Sequence, residues 1–219
     1  GSGVDDRAAA SASQRRDAVL AAEEHTLEVD VHRQIPDRLV GGHGIAIVAV
    51  HDAGEAGGHH YILMEYVEGT DLRKLTKEGR LEPEQVFEIT SVLCEALQYA
   101  HSKGVVHRDI KPENVLVDKS GSVKVGDFGL AKLMGEDGAI RLTGTMQVMG
   151  TFHYLAPEQI ERPQETDRRV DVFALGVVFY ELLTGELPIG NFDPPSKKAK
   201  IDVKLDEVVL RALQKEPDR

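Results

Sequence analysis

VVHRDIKPENVLVD, residues 105–118, sets an imidazole, a guanidinium, an ammonium, carboxylates and a carboxamide between two short apolar runs. Its flanks are more regular. Upstream, Val86, Ile89, Leu93, Leu97 and Ala100 recur at helical spacing, Pro83 stands where a first helical turn tolerates it, and Gly104 follows as a stop. A helix of about six turns is expected there. Downstream, Val115 to Val117 and Val123 to Val125 are split by Asp-Lys-Ser-Gly and read as a short hairpin. The polar loop therefore joins a helix end to a hairpin, and polar residues return at the hairpin's far end.

Farther from the loop, IAIVAV (45–50) and YILMEY (61–66) read as two strands joined by the Gly-rich turn HDAGEAGGHH. Asp171 to Thr184 is apolar nearly all round, which predicts a buried helix ended by Gly185 and Pro188. Leu205 to Leu213 predicts a last, amphipathic helix. Residues 1–44 are rich in Ala, Arg, Asp and Glu with little sustained periodicity; Ala8 to Leu27 suits a polar helix and Gly41 to Gly44 a loop. The order is that of an α+β protein, a β-containing piece leading into a helical lobe.

With 219 residues, 41% of them hydrophobic, the chain can bury one sizeable core or two small ones. The net charge of -11 repels nucleic-acid phosphates and anionic lipid, so nucleic acid is not an expected partner. The single cysteine, Cys94, excludes an intrachain disulfide and a Cys/His zinc box, and fits a reducing cytoplasm. The longest apolar run, Val170 to Leu183, contains Asp171 and Glu181 and is too short to span a bilayer. A chain that starts at Gly1 and stops just after Lys215-Glu216-Pro217-Asp218 is expected to be a fragment of something longer.

His107-Arg108-Asp109-Ile110-Lys111-Pro112-Glu113-Asn114, then Asp127-Phe128-Gly129, then Ala156-Pro157-Glu158, resembles the catalytic half of the protein kinase family. Any one of these motifs alone is commonplace: Asp-Phe-Gly is an ordinary turn and His-Arg-Asp an ordinary surface ion cluster. Their order and register carry the resemblance, which runs from about Ile45 to Arg219. It implies a protein-kinase-like α+β fold, with residues 1–44 outside the match, 45–66 a partial β N-terminal lobe, and 67–219 a mainly helical C-terminal lobe lacking its closing helices. Lys111, two residues after Asp109, is similar to serine/threonine rather than tyrosine kinases, and the whole is most similar to bacterial kinases of the eukaryotic type.

The resemblance also assigns roles. Substrates would be ATP, with Mg2+, and protein Ser or Thr. Asp109 would orient the substrate hydroxyl and accept its proton, Asn114 and Asp127 would hold the metal, Lys111 would face the γ-phosphate, and Thr151 would contact Asp109 and Lys111. Met64 would be the gatekeeper, Glu65 to Val67 the adenine hinge, Asp71 a ribose contact and Leu116 the floor beneath the ring. His107 would pack under Phe128, beside Gly129, without acid-base work. Asp171 would hold the catalytic-loop backbone, and Glu158 would pair with Arg219. The segment GEDGAIRLTGTMQVMG (135–150) has several glycines, mixed charge and no regular pattern, so the loop from Asp127 to Glu158 is expected to be ordered by phosphorylation at Thr143 or Thr145, with Arg108 receiving the phosphate. Phe152 and His153 stand where a proline is common, which leaves substrate preference open.

No lysine precedes Lys74, so the phosphate-anchoring lysine of a kinase N-terminal lobe is absent. Gly1-Ser2-Gly3 starts like a Gly-rich loop, but Asp6 stands where a third glycine would fall, and Glu23, Glu24 and Glu28 have no lysine to pair with. The change near Ile45 is that of a truncation, a fusion or a reading-frame error. An inactive pseudokinase that binds partners, and a small-molecule phosphotransferase with a similar loop, are the alternatives. Membrane tethering of a longer parent by other segments stays open.

Overall fold

The computed structural model describes residues 44–57, 59–79, 81–128 and 151–215. They run β1 (Val50–Ala56), β2 (His59–Met64), β3 (Gly69–Asp71), α1 (Leu72–Glu78), α2 (Pro83–Ser102), β4 (Val115–Asp118), β5 (Val123–Val125), α3 (Pro157–Glu161), α4 (Arg169–Thr184) and α5 (Lys204–Ala212). Turns of 3-10 helix stand at Pro112–Asn114, Thr151–Tyr154, Pro163–Glu165 and Pro195–Lys197. The described residues fall into two units, one holding 49–65 and the other 44–48 with 66–215. Gly129, Thr143, Thr145 and Arg219 lie outside the described residues.

In the first unit, β1 and β2 pair antiparallel, with Gly54 opposite Tyr61 and Ala56 opposite His59. The expected Gly-rich turn is thus mostly strand. Gly54 serves a close approach rather than a reversal: a Cβ on it would stand 2.9 Å from the Tyr61 hydroxyl. Tyr61 in turn donates to Asp52 Oδ2 at 3.1 Å. The apolar run 45–50 is also divided, because its first part belongs to the second unit.

There, Val48 N–H donates to Val125 O and Val125 N–H to Ala46 O, both at 2.8 Å, which lays Ile47 parallel to β5. Strands β3, β4 and β5 form an antiparallel sheet in that order. Neither β3 nor α1 was legible as a separate element. Gly69 makes β3 possible, since a Cβ there would meet the Val117 carbonyl oxygen at 2.0 Å. Gly69→Ala is therefore expected to cost about 1–3 kcal/mol through overpacking. Urea unfolding checks it, and unchanged stability would show that β3 can move off β4.

Helix α2 buries Val86, Ile89, Leu93, Ala96, Leu97 and Ala100 on one face. That stripe meets α4, which is buried on most sides, and Phe87 stands edge-on to Phe179 with ring centroids 5.9 Å apart. Each such large apolar side chain contributes about 1.5–3 kcal/mol on burial. The α2 entry is closed by Glu82 N–H donating to Gln85 Oε1 at 3.0 Å. Helix α4 ends at Gly185, whose φ of 77° is the left-handed geometry that favours glycine. The loop 105–114 lies between α2 and β4.

Candidate active site

The loop takes its shape from one carboxylate. Asp171, in the first turn of α4, is 0% exposed. Its Oδ2 accepts from His107 N–H at 2.9 Å and faces His101 Nε2 at 2.7 Å, while its Oδ1 accepts from Arg108 N–H at 2.7 Å. A buried carboxylate needs such partners. Held this way, Arg108 takes a φ of 68°, a left-handed geometry costing a residue with a Cβ about 1–3 kcal/mol.

His107 is the second anchor. Its Nδ1 accepts from Asp109 N–H at 3.2 Å and its Nε2 meets the Gly126 carbonyl oxygen at 2.8 Å, so the proton sits on Nε2 and the ring is neutral. The ring packs on Phe128 with centroids 4.4 Å apart. Burial pushes the His107 pKa below the usual histidine value, against the pull of Asp171 and the Gly126 carbonyl. A depressed histidine pKa means that the unfolded chain takes up the proton first. The stabilisation is complete above the unfolded pKa of about 6.5 and is lost as pH falls below it, with a slope approaching about 1.4 kcal/mol per pH unit. His107→Phe is expected to flatten the stability profile between about pH 6.5 and 5. Urea melts across that range check it; an unchanged slope would contradict it.

Beyond these anchors, three side chains converge. Asp109 Oδ2 is met by Lys111 Nζ at 2.7 Å and by Asn114 Nδ2 at 3.0 Å, and Asn114 Nδ2 also donates to the Asp109 carbonyl oxygen at 2.8 Å. The 3-10 turn Pro112–Asn114 brings this about, because it folds the chain back between residues 109 and 114. Gly126 N–H donates to the Asn114 carbonyl oxygen at 2.9 Å, which ties the start of the hairpin to the residue before Asp127. Asp127 is exposed and left-handed at φ 58°.

Asn114 commits its Nδ2 to Asp109, which leaves its Oδ1 as the acceptor, and Asp127 adds a carboxylate. Both are hard oxygen donors. Among the described residues no group of three or more His, Cys, Asp or Glu side chains is placed to hold a metal ion. Two protein ligands with the rest from water and phosphate is the donor set that Mg2+ takes, so these residues fit that ion.

The other expected residues are distributed. Met64 and Glu65 belong to the first unit, where Glu65 N–H donates to Ala49 O at 2.8 Å and its carboxylate accepts from Ala49 N–H at 3.3 Å. Val67, Asp71 and Leu116 are in the second unit, Asp71 opposite Leu116 in the β3–β4 register. Asp71 caps α1, its Oδ1 accepting from Lys74 N–H at 2.8 Å while its Oδ2 pairs with Lys74 Nζ at 2.8 Å. Burial raises its pKa, but these Lys74 contacts outweigh that and hold it below the usual aspartate value. Thr151 opens the turn Thr151–Tyr154, and Glu158 lies half-buried on α3.

Three contributors escaped the motif reading. His101 shares Asp171; Gln159 Nε2 donates to the Arg108 carbonyl oxygen at 3.0 Å; Arg73 gathers distant partners. Arg73 Nε donates to Glu113 Oε1 at 2.9 Å, its Nη1 to Glu181 Oε1 at 2.5 Å and its Nη2 to the Tyr154 hydroxyl, which itself donates to Glu181 Oε2 at 2.5 Å. Helical spacing hints at none of them, since their partners lie 40 or more residues away.

The chain is similar to known proteins over most of its length. The family model for the protein kinase domain matches residues 18–218, beginning upstream of Ile45. The serine/threonine-protein kinase PknB of Mycolicibacterium smegmatis is 44% identical over 193 aligned residues, covering 79% of this chain and 31% of the relative. A probable serine/threonine-protein kinase of Streptomyces coelicolor is 42% identical over 198, covering 79% and 28%. This chain thus spans less than a third of the length of either. The crystal structure of the Mycobacterium tuberculosis PknI kinase domain superposes with a TM-score of 0.66 at 27% identity, covering 86% of this chain and 72% of that one. Motif order, a helical lobe around a loop anchored on Asp171, and these matches agree: the chain belongs to the protein kinase domain family, with the α+β kinase fold.

Proposed function

We propose that the chain is the catalytic part of a protein serine/threonine kinase of the bacterial type, moving the γ-phosphate of ATP to a protein Ser or Thr hydroxyl. The observation that carries it is the meeting of Lys111 and Asn114 on one oxygen of Asp109. That leaves Asp109 Oδ1 to receive the hydroxyl. As the hydroxyl oxygen bonds to phosphorus and the bond to the β-phosphate oxygen breaks, the proton passes to Asp109 and ADP departs. Lys111 offsets charge growing on the γ-phosphate. Asn114 and Asp127 would hold Mg2+, which when bound neutralises phosphate-oxygen charge.

The remaining assignments are part of this proposal. Met64, Glu65, Val67 and Leu116 are each assigned to adenine by the kinase reading, and Asp71 to ribose through lone pairs not used in capping α1. Thr151 contacts Asp109 and Lys111. Thr143 or Thr145, once phosphorylated, docks on Arg108, since a phosphate offers a guanidinium two parallel acceptors. Glu158 would pair with Arg219, and Gly129 would be a structural residue of the motif it shares with Asp127 and Phe128. Residues 45–66 would serve as the partial N-terminal lobe and 67–219 as the C-terminal lobe. The partner is a protein bearing Ser or Thr. Among the described residues no helix is long and apolar enough to cross a membrane. Free Cys94 suits the cytoplasm, where we place catalysis.

Because no lysine precedes Lys74, this chain is expected to bind Mg–ATP weakly and to transfer phosphate slowly. Calorimetry with Mg–ATP and turnover on a generic protein substrate check both. Micromolar affinity together with turnover of roughly 1–100 per second would contradict it.

A further inference from the structure

Gln159 is 7% exposed on α3, with both ends of its carboxamide engaged. Its Oε1 accepts from Ala156 N–H at 3.0 Å and its Nε2 donates to the Arg108 carbonyl oxygen at 3.0 Å. The partners fix the orientation, because an amide N–H only donates and a carbonyl only accepts. One side chain thereby joins the backbone before Pro157-Glu158 to the peptide that links Arg108 to Asp109.

Arg108 is gripped on both sides. Asp171 Oδ1 takes its N–H at 2.7 Å, Gln159 takes its carbonyl, and between them its φ stands at 68°. A residue with a Cβ rarely rests there, so the turn persists only where its surroundings fix it. Asp171 alone fixes the N–H side. If the carbonyl swung away, the same peptide plane would carry Asp109 N–H off His107 Nδ1, now 3.2 Å distant, and would turn the Asp109 carboxylate from Lys111 and Asn114.

We propose that Gln159 is a positioning residue, orienting Asp109 through the Arg108 carbonyl and coupling α3 to the catalytic loop. What Asp109 does rests on the kinase reading; the tie itself does not. Two backgrounds isolate it. Arg108→Ala and Arg108→Gly both remove the guanidinium, but glycine alone adopts the left-handed turn without strain. Amide hydrogen exchange at Asp109 is measured with and without Gln159→Met in each. In the Ala background, loss of the carboxamide is expected to speed exchange roughly five- to a hundredfold, and in the Gly background by less than about threefold. Equal acceleration in both overturns the proposal. With Arg108 intact, Gln159→Met is expected to lower kcat on the order of tenfold to a hundredfold at unchanged KM for ATP. Unprotected Asp109 with full kcat also overturns it. The kcat comparison is made in a chimera with a lysine-bearing segment before Ile45. If that chimera labels no protein at all, the kinase reading falls, and the exchange comparison still decides the tie.

Discussion

Asp109→Asn is expected to lower phosphoryl transfer by about 10²–10⁴-fold, the usual contribution of a positioned general base, with Mg–ATP affinity essentially unchanged. An asparagine can still accept from Lys111 and Asn114, so the contacts at 2.7 and 3.0 Å have a substitute acceptor and the loop keeps its shape. What would disappear, on the role proposed for Asp109, is the basic oxygen facing the hydroxyl. Asp127→Asn acts on the other participant. It removes a charged oxygen donor for a hard cation, so it is expected to weaken Mg–ATP binding as well as slow transfer. Both comparisons are made in a chimera with a Gly-rich, lysine-bearing segment before Ile45, where nucleotide binding is strong enough to titrate. Equal effects of the two substitutions on nucleotide affinity would show that the roles are misassigned.

Asp171→Ala is expected to be the most damaging change to stability, about 3–5 kcal/mol. The backbone N–H groups of His107 and Arg108 and the His101 ring all lose their acceptor at a position that is 0% exposed. Each buried donor left unsatisfied costs about 1–3 kcal/mol, and water entering the new space recovers part of it. The loop suffers beyond that loss, because Arg108 keeps only the Gln159 contact on its carbonyl to hold φ at 68°. Urea denaturation measures the first effect and transfer activity the second. A cost below about 1 kcal/mol would mean that the loop is held by other means.

The helix over residues 83–102 was legible because its burial repeats along one face, that over 169–184 because it is apolar nearly all round, and the β4–β5 hairpin because its two valine runs are neighbours. The division of residues 45–50 between two units was not, since pairing of Val48 with Val125 depends on a partner far along the chain. Nor was β3, whose three residues carry no period and whose glycine matters only because Val117 lies against it. The site divides in the same way. Asp109, Lys111 and Asn114 lie within five residues of one another, so their type and spacing are visible in a single line of sequence. Gln159, His101 and Arg73 act on partners that only the fold brings near, and a buried glutamine looks like any surface glutamine until the Arg108 carbonyl is placed beside it.

The chimera with a lysine-bearing N-terminal segment, given ATP labelled in the γ-phosphate, Mg2+ and a protein substrate, tests the central claim most directly through the identity of the labelled amino acid. Label on serine or threonine that requires Mg2+ and appears at least about a hundredfold more slowly with Asp109→Asn is the expected result. Label that forms at an undiminished rate with Asp109→Asn, that appears on tyrosine, or that never reaches protein would contradict a serine/threonine kinase built on Asp109.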